Sequence, residues 1–144
     1  MAVGYGADVR AAVAVLLLAV ATARAGTPRW DPRAWADEGT VELRTTAPGE
    51  GPHWFPVWLV VIDGQLYVRL GTRAAGRIAS NVTAPDVGAR IGGVEFDRVR
   101  GEPAPELATR VGAAMARKYW SDILVRHVNH PLVLRLVPET DSTR

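Results

Sequence analysis

Cysteine is missing from all 144 residues. Its absence excludes disulfides, thiol catalysis, iron–sulfur clusters and cysteine-ligated zinc together. Packing, oligomerisation or a bound ligand must therefore stabilise the fold. Lysine is almost as scarce, since Lys118 is the one Lys/Arg residue that is not arginine. With 17 basic against 15 acidic residues the formal charge is only +2. That balance gives no broad polyanion-binding surface and argues against nucleic acid as a partner. No repeat or low-complexity segment occurs, and no Ser-His-Asp arrangement, paired-carboxylate site or phosphate-binding glycine loop stands out. If the chain is an enzyme, a cofactor does the chemistry.

What is present suits one small domain: 48% hydrophobic and 22% charged residues rule out a disordered chain, and 14 Gly with 10 Pro make it turn-rich. The one long apolar run lies at the N-terminus. Arg10 precedes Ala11 to Ala21, built only of Ala, Val and Leu, and Ala23 and Ala25 then occupy the small-residue positions of an A-x-A cleavage site. The run is short of the about 20 residues that span a bilayer. Residues 1–25 read as a signal peptide, the alternatives being an upstream start codon or an alanine-rich helix. Cleavage would export the chain to the periplasm or exterior; otherwise it stays cytoplasmic.

After that segment, residues 26–39 carry a short helix behind Asp31-Pro32, with Trp30 and Trp35 near it. Thr40 to Thr46 alternates as a half-buried strand. Val57 to Ile62 is apolar on both faces, so it should be covered on both sides. Asp63-Gly64 then makes a type I′ hairpin turn, which needs positive φ at both residues. In the returning strand Leu66, Val68 and Leu70 share one face, and Tyr67 and Arg69 the other. A short helix is expected from Gly76 to Thr83, with Ile78 and Val82 at i, i+4 spacing. Val87, Ala89 and Ile91 alternate up to a second hairpin turn at Gly92-Gly93. Pro105 opens a helix whose stripe is Leu107, Val111, Met115 and Tyr119. Leu132, Leu134 and Leu136 form the last strand. The domain runs over residues 40–138, and residues 139–144 form a loose tail.

This order, together with PVWLVVIDGQLYVRL, TRAAGRIASN and the late KYW and LVLRLVP, resembles the split barrel of the pyridoxamine 5′-phosphate oxidase-like flavoproteins. It is most similar to the small bacterial branches near the deazaflavin-dependent nitroreductases. The resemblance implies an α+β fold, a six-stranded antiparallel split β-barrel with two helices, paired as a homodimer. It further implies FMN or a deazaflavin as cofactor and oxidoreductase activity on an unassigned substrate. Carried over position by position, Arg69 would lie at the cofactor's edge, Thr72 and Arg73 at its phosphate, with Arg77 and Asn81 assisting. Pro56, Val57 and Trp58 would flank the ring. Arginine suits this role because its planar fork meets phosphate oxygens two at a time.

Two departures point elsewhere. Leu70 and Gly71 stand where relatives often have Ser or Lys, and Arg77-Ile78-Ala79 replaces an expected aromatic. The second reading is therefore a non-enzymatic exported barrel that binds another small ligand, haem included, or a partner protein. His127 and His130 are the first haem candidates. A bare metal ion would need a third ligand, for which Asp122 or His53 could serve, but Asn129-His130-Pro131 reads as a loop and no metal site is assigned.

Overall fold

A computed structural model of the protein describes residue 26 and residues 28–119 and 132–139. The six strands are β1 (Thr40–Thr45), β2 (His53–Ile62), β3 (Gln65–Leu70), β4 (Asp86–Ile91), β5 (Val94–Pro103) and β6 (Leu132–Pro138). Helix α1 (Thr72–Ala79) joins β3 to β4, and α2 (Ala108–Lys118) follows β5. Short 3₁₀ turns at Pro32–Trp35 and Pro105–Leu107 precede β1 and α2. All strand pairs are antiparallel, and the sheet closes in the order β1-β2-β3-β6-β5-β4. This is the expected α+β split barrel.

Closure depends on the two longest strands, each 10 residues, changing partners along their length. His53–Trp58 of β2 pairs with β1, and Leu59–Ile62 pairs with β3. Likewise β5 pairs first with β4 and then, from Val99, with β6. Both hairpin turns have the backbone the sequence demands. Asp63 and Gly64 have φ of 51° and 73°, and Gly92 and Gly93 have 56° and 79°. Positive φ at both central residues matches the right-handed twist of the flanking strands.

Alternation sorts the side chains into two clusters. Leu43, Leu59, Leu66, Val68, Leu70 and Leu136 are fully buried inside the barrel. Burying one such side chain stabilises by roughly 1.5–3 kcal/mol. On the outer face Val60, Tyr67 and Val133 meet Val111 and Met115 of α2, with Leu107 and Tyr119 beside them. Leu59 and Val60 thus bury opposite faces of β2, as its continuous apolar run requires. Among the described residues no helix is long and apolar enough to cross a membrane.

The barrel's ends differ. At the hairpin-turn end Trp30, Trp35 and Phe96 pack edge to face with centroids 5.1 to 5.6 Å apart. At the other end α1 lays Ala74, Ala75 and Ile78 against the interior. The short helix starts at Thr72 and stops at Ala79, four residues ahead of the expected Gly76 to Thr83. Gly71, extended at φ −71° and ψ 172°, is the true boundary, and Ala74-Ala75 carry the helix through Gly76. Val82 falls outside it and is 59% exposed, so it does not pair with Ile78. Residues 1–25, expected to be a signal peptide, together with Asp122, His127, His130 and residues 140–144, lie outside the described residues.

Candidate functional site

A cavity of about 720 Å³ opens at the α1 end of the barrel, between the start of β2 and the start of α1. Its size falls within the roughly 300–1,000 Å³ typical of small-molecule sites. One wall is His53, Phe55 and Pro56 of β2. Strand alternation puts His53 and Phe55 on the inward face that also carries Val57 and Leu59, at the point where the barrel interior gives way to solvent. The two rings are stacked, with centroids 6.2 Å apart and planes at 24°. Thr45, cross-strand partner of His53, is buried, and its Oγ1 has no hydrogen-bond partner among the described residues.

The opposite wall is the first half of α1: Gly71, Thr72, Arg73, Ala74 and Arg77. Arg73 and Arg77 stand at i, i+4 and therefore on one helix face. Arg77 Nη1 donates to Glu50 Oε2 at 2.9 Å, so this guanidinium already holds a carboxylate from the β1–β2 loop. Arg73 makes no hydrogen bond or ion pair among the described residues. The first turn of α1 lines the same opening, and the N-terminal end of a helix favours negative charge. The site is an aromatic and apolar shelf facing a cationic rim.

Of the residues expected at a cofactor, the fold gathers Pro56, Thr72, Arg73 and Arg77 around this cavity. The other four sit elsewhere. Arg69 leaves β3 on the outer face, with Nη1 3.6 Å from where a Cβ on Gly112 of α2 would stand. Val57 is buried in the barrel interior. Trp58 stacks on Tyr119 at 4.9 Å and 8°, on the α2 face. Asn81 is buried and spends its amide on the chain: Oδ1 accepts from the Thr46 N–H at 3.0 Å and Nδ2 donates to the Asp86 carbonyl at 2.7 Å. Phe55 is a wall residue that the sequence reading misses, and His53, named there only as a third ligand for a bare metal ion, stands in the same wall. Extending the β2 alternation four residues upstream of Val57 would find them. Nothing in the sequence marks Glu50 as Arg77's partner.

Perturbed titration lies away from the cavity. Burial holds Lys118 below its ordinary value against the pull of Asp37 and Glu38. Burial also pushes the Tyr119 hydroxyl up, partly offset by its hydrogen bond to Leu59. Among the described residues no group of three His, Asp or Glu side chains is placed to hold a metal ion.

Fold and cavity together define a split-barrel protein with an open cavity at one barrel end. Among solved structures the chain is similar to HutZ, the heme storage protein from Vibrio cholerae, with a TM-score of 0.55 and 17% identity. The match covers 75% of this chain and 87% of that one. No family model matches the chain, and no curated protein matches it.

Proposed function

We propose that the barrel-end cavity binds a small, flat, anionic ligand of the haem class, and that the chain is a carrier of that ligand. The observation that carries this reading is the His53–Phe55 stack facing Arg73 and Arg77 across one cavity. Aromatic and apolar walls suit a planar ring, and guanidinium forks suit its carboxylates. The donor set fits haem as a whole: an imidazole, a flat apolar wall and two cations. When bound, haem would supply an iron able to take a protein nitrogen, and a strong visible chromophore. Phe55 and Pro56 would support the ring, while Arg73 would take a carboxylate directly. Arg77 would do so on exchanging Glu50. Storage is the named role of the structural neighbour HutZ, which supports carriage over catalysis. Export through residues 1–25 and pairing as a homodimer belong to the same proposal, and sedimentation equilibrium measures the second.

A second reading keeps FMN or a deazaflavin. Thr72 and Arg73 at the cavity edge of α1 would meet a phosphate at a helix N-terminus. Titrating the full chain separately with ferric haem and FMN separates the two. A saturating shift of the haem Soret band at one equivalent, with FMN fluorescence unquenched, supports the carrier. Quenching of FMN with no Soret change would give the site to flavin.

A further inference from the structure

We propose that His53 is the protein ligand to the iron, an inference that rests on the haem-class reading of the cavity. Among the described residues His53 carries the only imidazole, and it lines the cavity wall opposite the arginines. A bare ion would need three or four protein ligands, which no cluster among the described residues supplies. Haem iron, already held by its macrocycle, needs only one from the protein. His53 also has the neighbours that such a ligand uses. Phe55 stacks beside its ring, with the planes at 24°. Thr45 stands opposite in the β1–β2 register with a buried hydroxyl that no other described group engages. Metal-bound histidines almost always donate their second ring N–H to a nearby acceptor, which fixes the tautomer and raises ligand basicity. Thr45 Oγ1 is the acceptor available for that role, which makes Thr45 a positioning residue. A buried hydroxyl without a partner is costly, and this bond would satisfy it.

The position of His53 adds to the argument. It is the first residue of β2, tied to Thr45 by the ladder but exposed at its tip. A strand holds its backbone in place while the imidazole remains reachable from the cavity mouth. The carboxylate-binding arginines lie on the facing helix. A flat ligand could therefore meet iron coordination at one wall and acid recognition at the other.

The test compares ferric haem with metal-free protoporphyrin IX, which shares the ring and carboxylates but has no iron. Both are titrated into the full-length protein and into H53A and T45V, with absorbance and electron paramagnetic resonance recorded for haem. His53 as ligand predicts that H53A weakens haem at least about tenfold and loses the nitrogen-ligated spectrum, while protoporphyrin IX binding stays within about twofold. Added imidazole should restore the spectrum in H53A. T45V should lower haem affinity by roughly tenfold and leave protoporphyrin IX unchanged. An unchanged haem spectrum and affinity in H53A would overturn the assignment, as would loss of the signature in H127A or H130A with H53A unaffected. If protoporphyrin IX binds and His53 is silent, the cavity reading survives and only the ligand assignment falls. If neither porphyrin binds the unmodified protein, both fall.

Discussion

Tyr119 takes the place of a strand at Leu59. Its hydroxyl lies 3.3 Å from the Leu59 amide nitrogen, whose N–H it accepts, and 2.7 Å from the Leu59 carbonyl oxygen. It also reaches the Gly39 carbonyl at 2.6 Å. The β1–β2 register ends at Thr40 opposite Trp58, so one more step would have set Gly39 against Leu59. At that step β2 leaves β1 for β3, and the hydroxyl fills the gap in the ladder. Lys118 reinforces it by donating to the carbonyls of Glu38 and Leu59. Removing the hydroxyl takes the acceptor from the part-buried Leu59 N–H, while the Leu59 carbonyl keeps its bond from Lys118. Tyr119→Phe should therefore cost about 1–2 kcal/mol, with the stacking on Trp58 retained. Urea unfolding measures the loss, and hydrogen exchange should quicken at the Leu59 amide ahead of its neighbours. An unchanged midpoint would show that the seam does not need this contact.

The same pair sets a pH signature in the alkaline range. Lys118 has a lowered pKa in the folded protein, so below 10.5 there is a window where the unfolded chain holds that proton and the folded one does not. Stability then rises with pH through the window. Tyr119, raised above 10.0, keeps its proton in the folded state after the unfolded chain has lost it, so stability falls as pH climbs past 10.0. The two slopes oppose one another. Urea midpoints between about pH 8 and pH 11, a range that brackets the ordinary titration of lysine and tyrosine, should fall more steeply in Lys118→Met than in the parent, and less steeply in Tyr119→Phe. Parallel profiles in all three proteins would remove both residues from the alkaline transition.

Asn81 is a loop pin. It joins Thr46 after β1 to Asp86 at the start of β4, and Thr83 adds bonds to Asn81 and to the Asp86 carbonyl. Asn81→Ala takes a donor from the Asp86 carbonyl and leaves the part-buried Thr46 N–H without its acceptor, which should cost about 2–3 kcal/mol. Thermal unfolding checks the magnitude. A variant as stable as the parent, yet weaker in ligand binding, would restore Asn81 to the ligand.

Placement on two faces of the barrel separates Arg73 from Arg69. Arg73 lines the cavity and Arg69 lies against α2. Arg73→Ala should weaken haem by about 1.5 kcal/mol, the lower end for a charged hydrogen bond because the side chain is exposed. Arg69→Ala should leave affinity within about twofold, since it loses no contact at the cavity. Calorimetric titration of both variants gives the comparison, and equal losses would contradict the assignment of the site to one barrel end.

Much of the barrel is legible because its signals are local. Asp63-Gly64 and Gly92-Gly93 dictate their own turns, and the period-two pattern of Leu66, Val68 and Leu70 names the inward face without any partner. The α2 stripe is equally readable, since Val111 and Met115 keep helical spacing. The site is less so. Four expected cofactor residues, Arg69, Val57, Trp58 and Asn81, are close to the cavity along the chain, but alternation sends Arg69 and Trp58 to the opposite face from Leu70 and Val57. The α1 boundary is obscured because Gly76 resembles a breaker, whereas two alanines and an extended Gly71 start the helix earlier. Contacts such as Arg77 with Glu50 and Tyr119 with Leu59 join residues 27 and 60 positions apart. Only closure of the barrel brings them together, and no local pattern announces that.

The central claim, that the cavity between β2 and α1 is the ligand site, is tested most directly by mapping backbone amide shifts while the full chain is titrated with protoporphyrin IX. The account predicts saturating changes confined to His53–Val57 and Gly71–Arg77, with the α2 face silent. Changes centred on Tyr67, Gly112 and Tyr119, or none at a ligand excess, would contradict it.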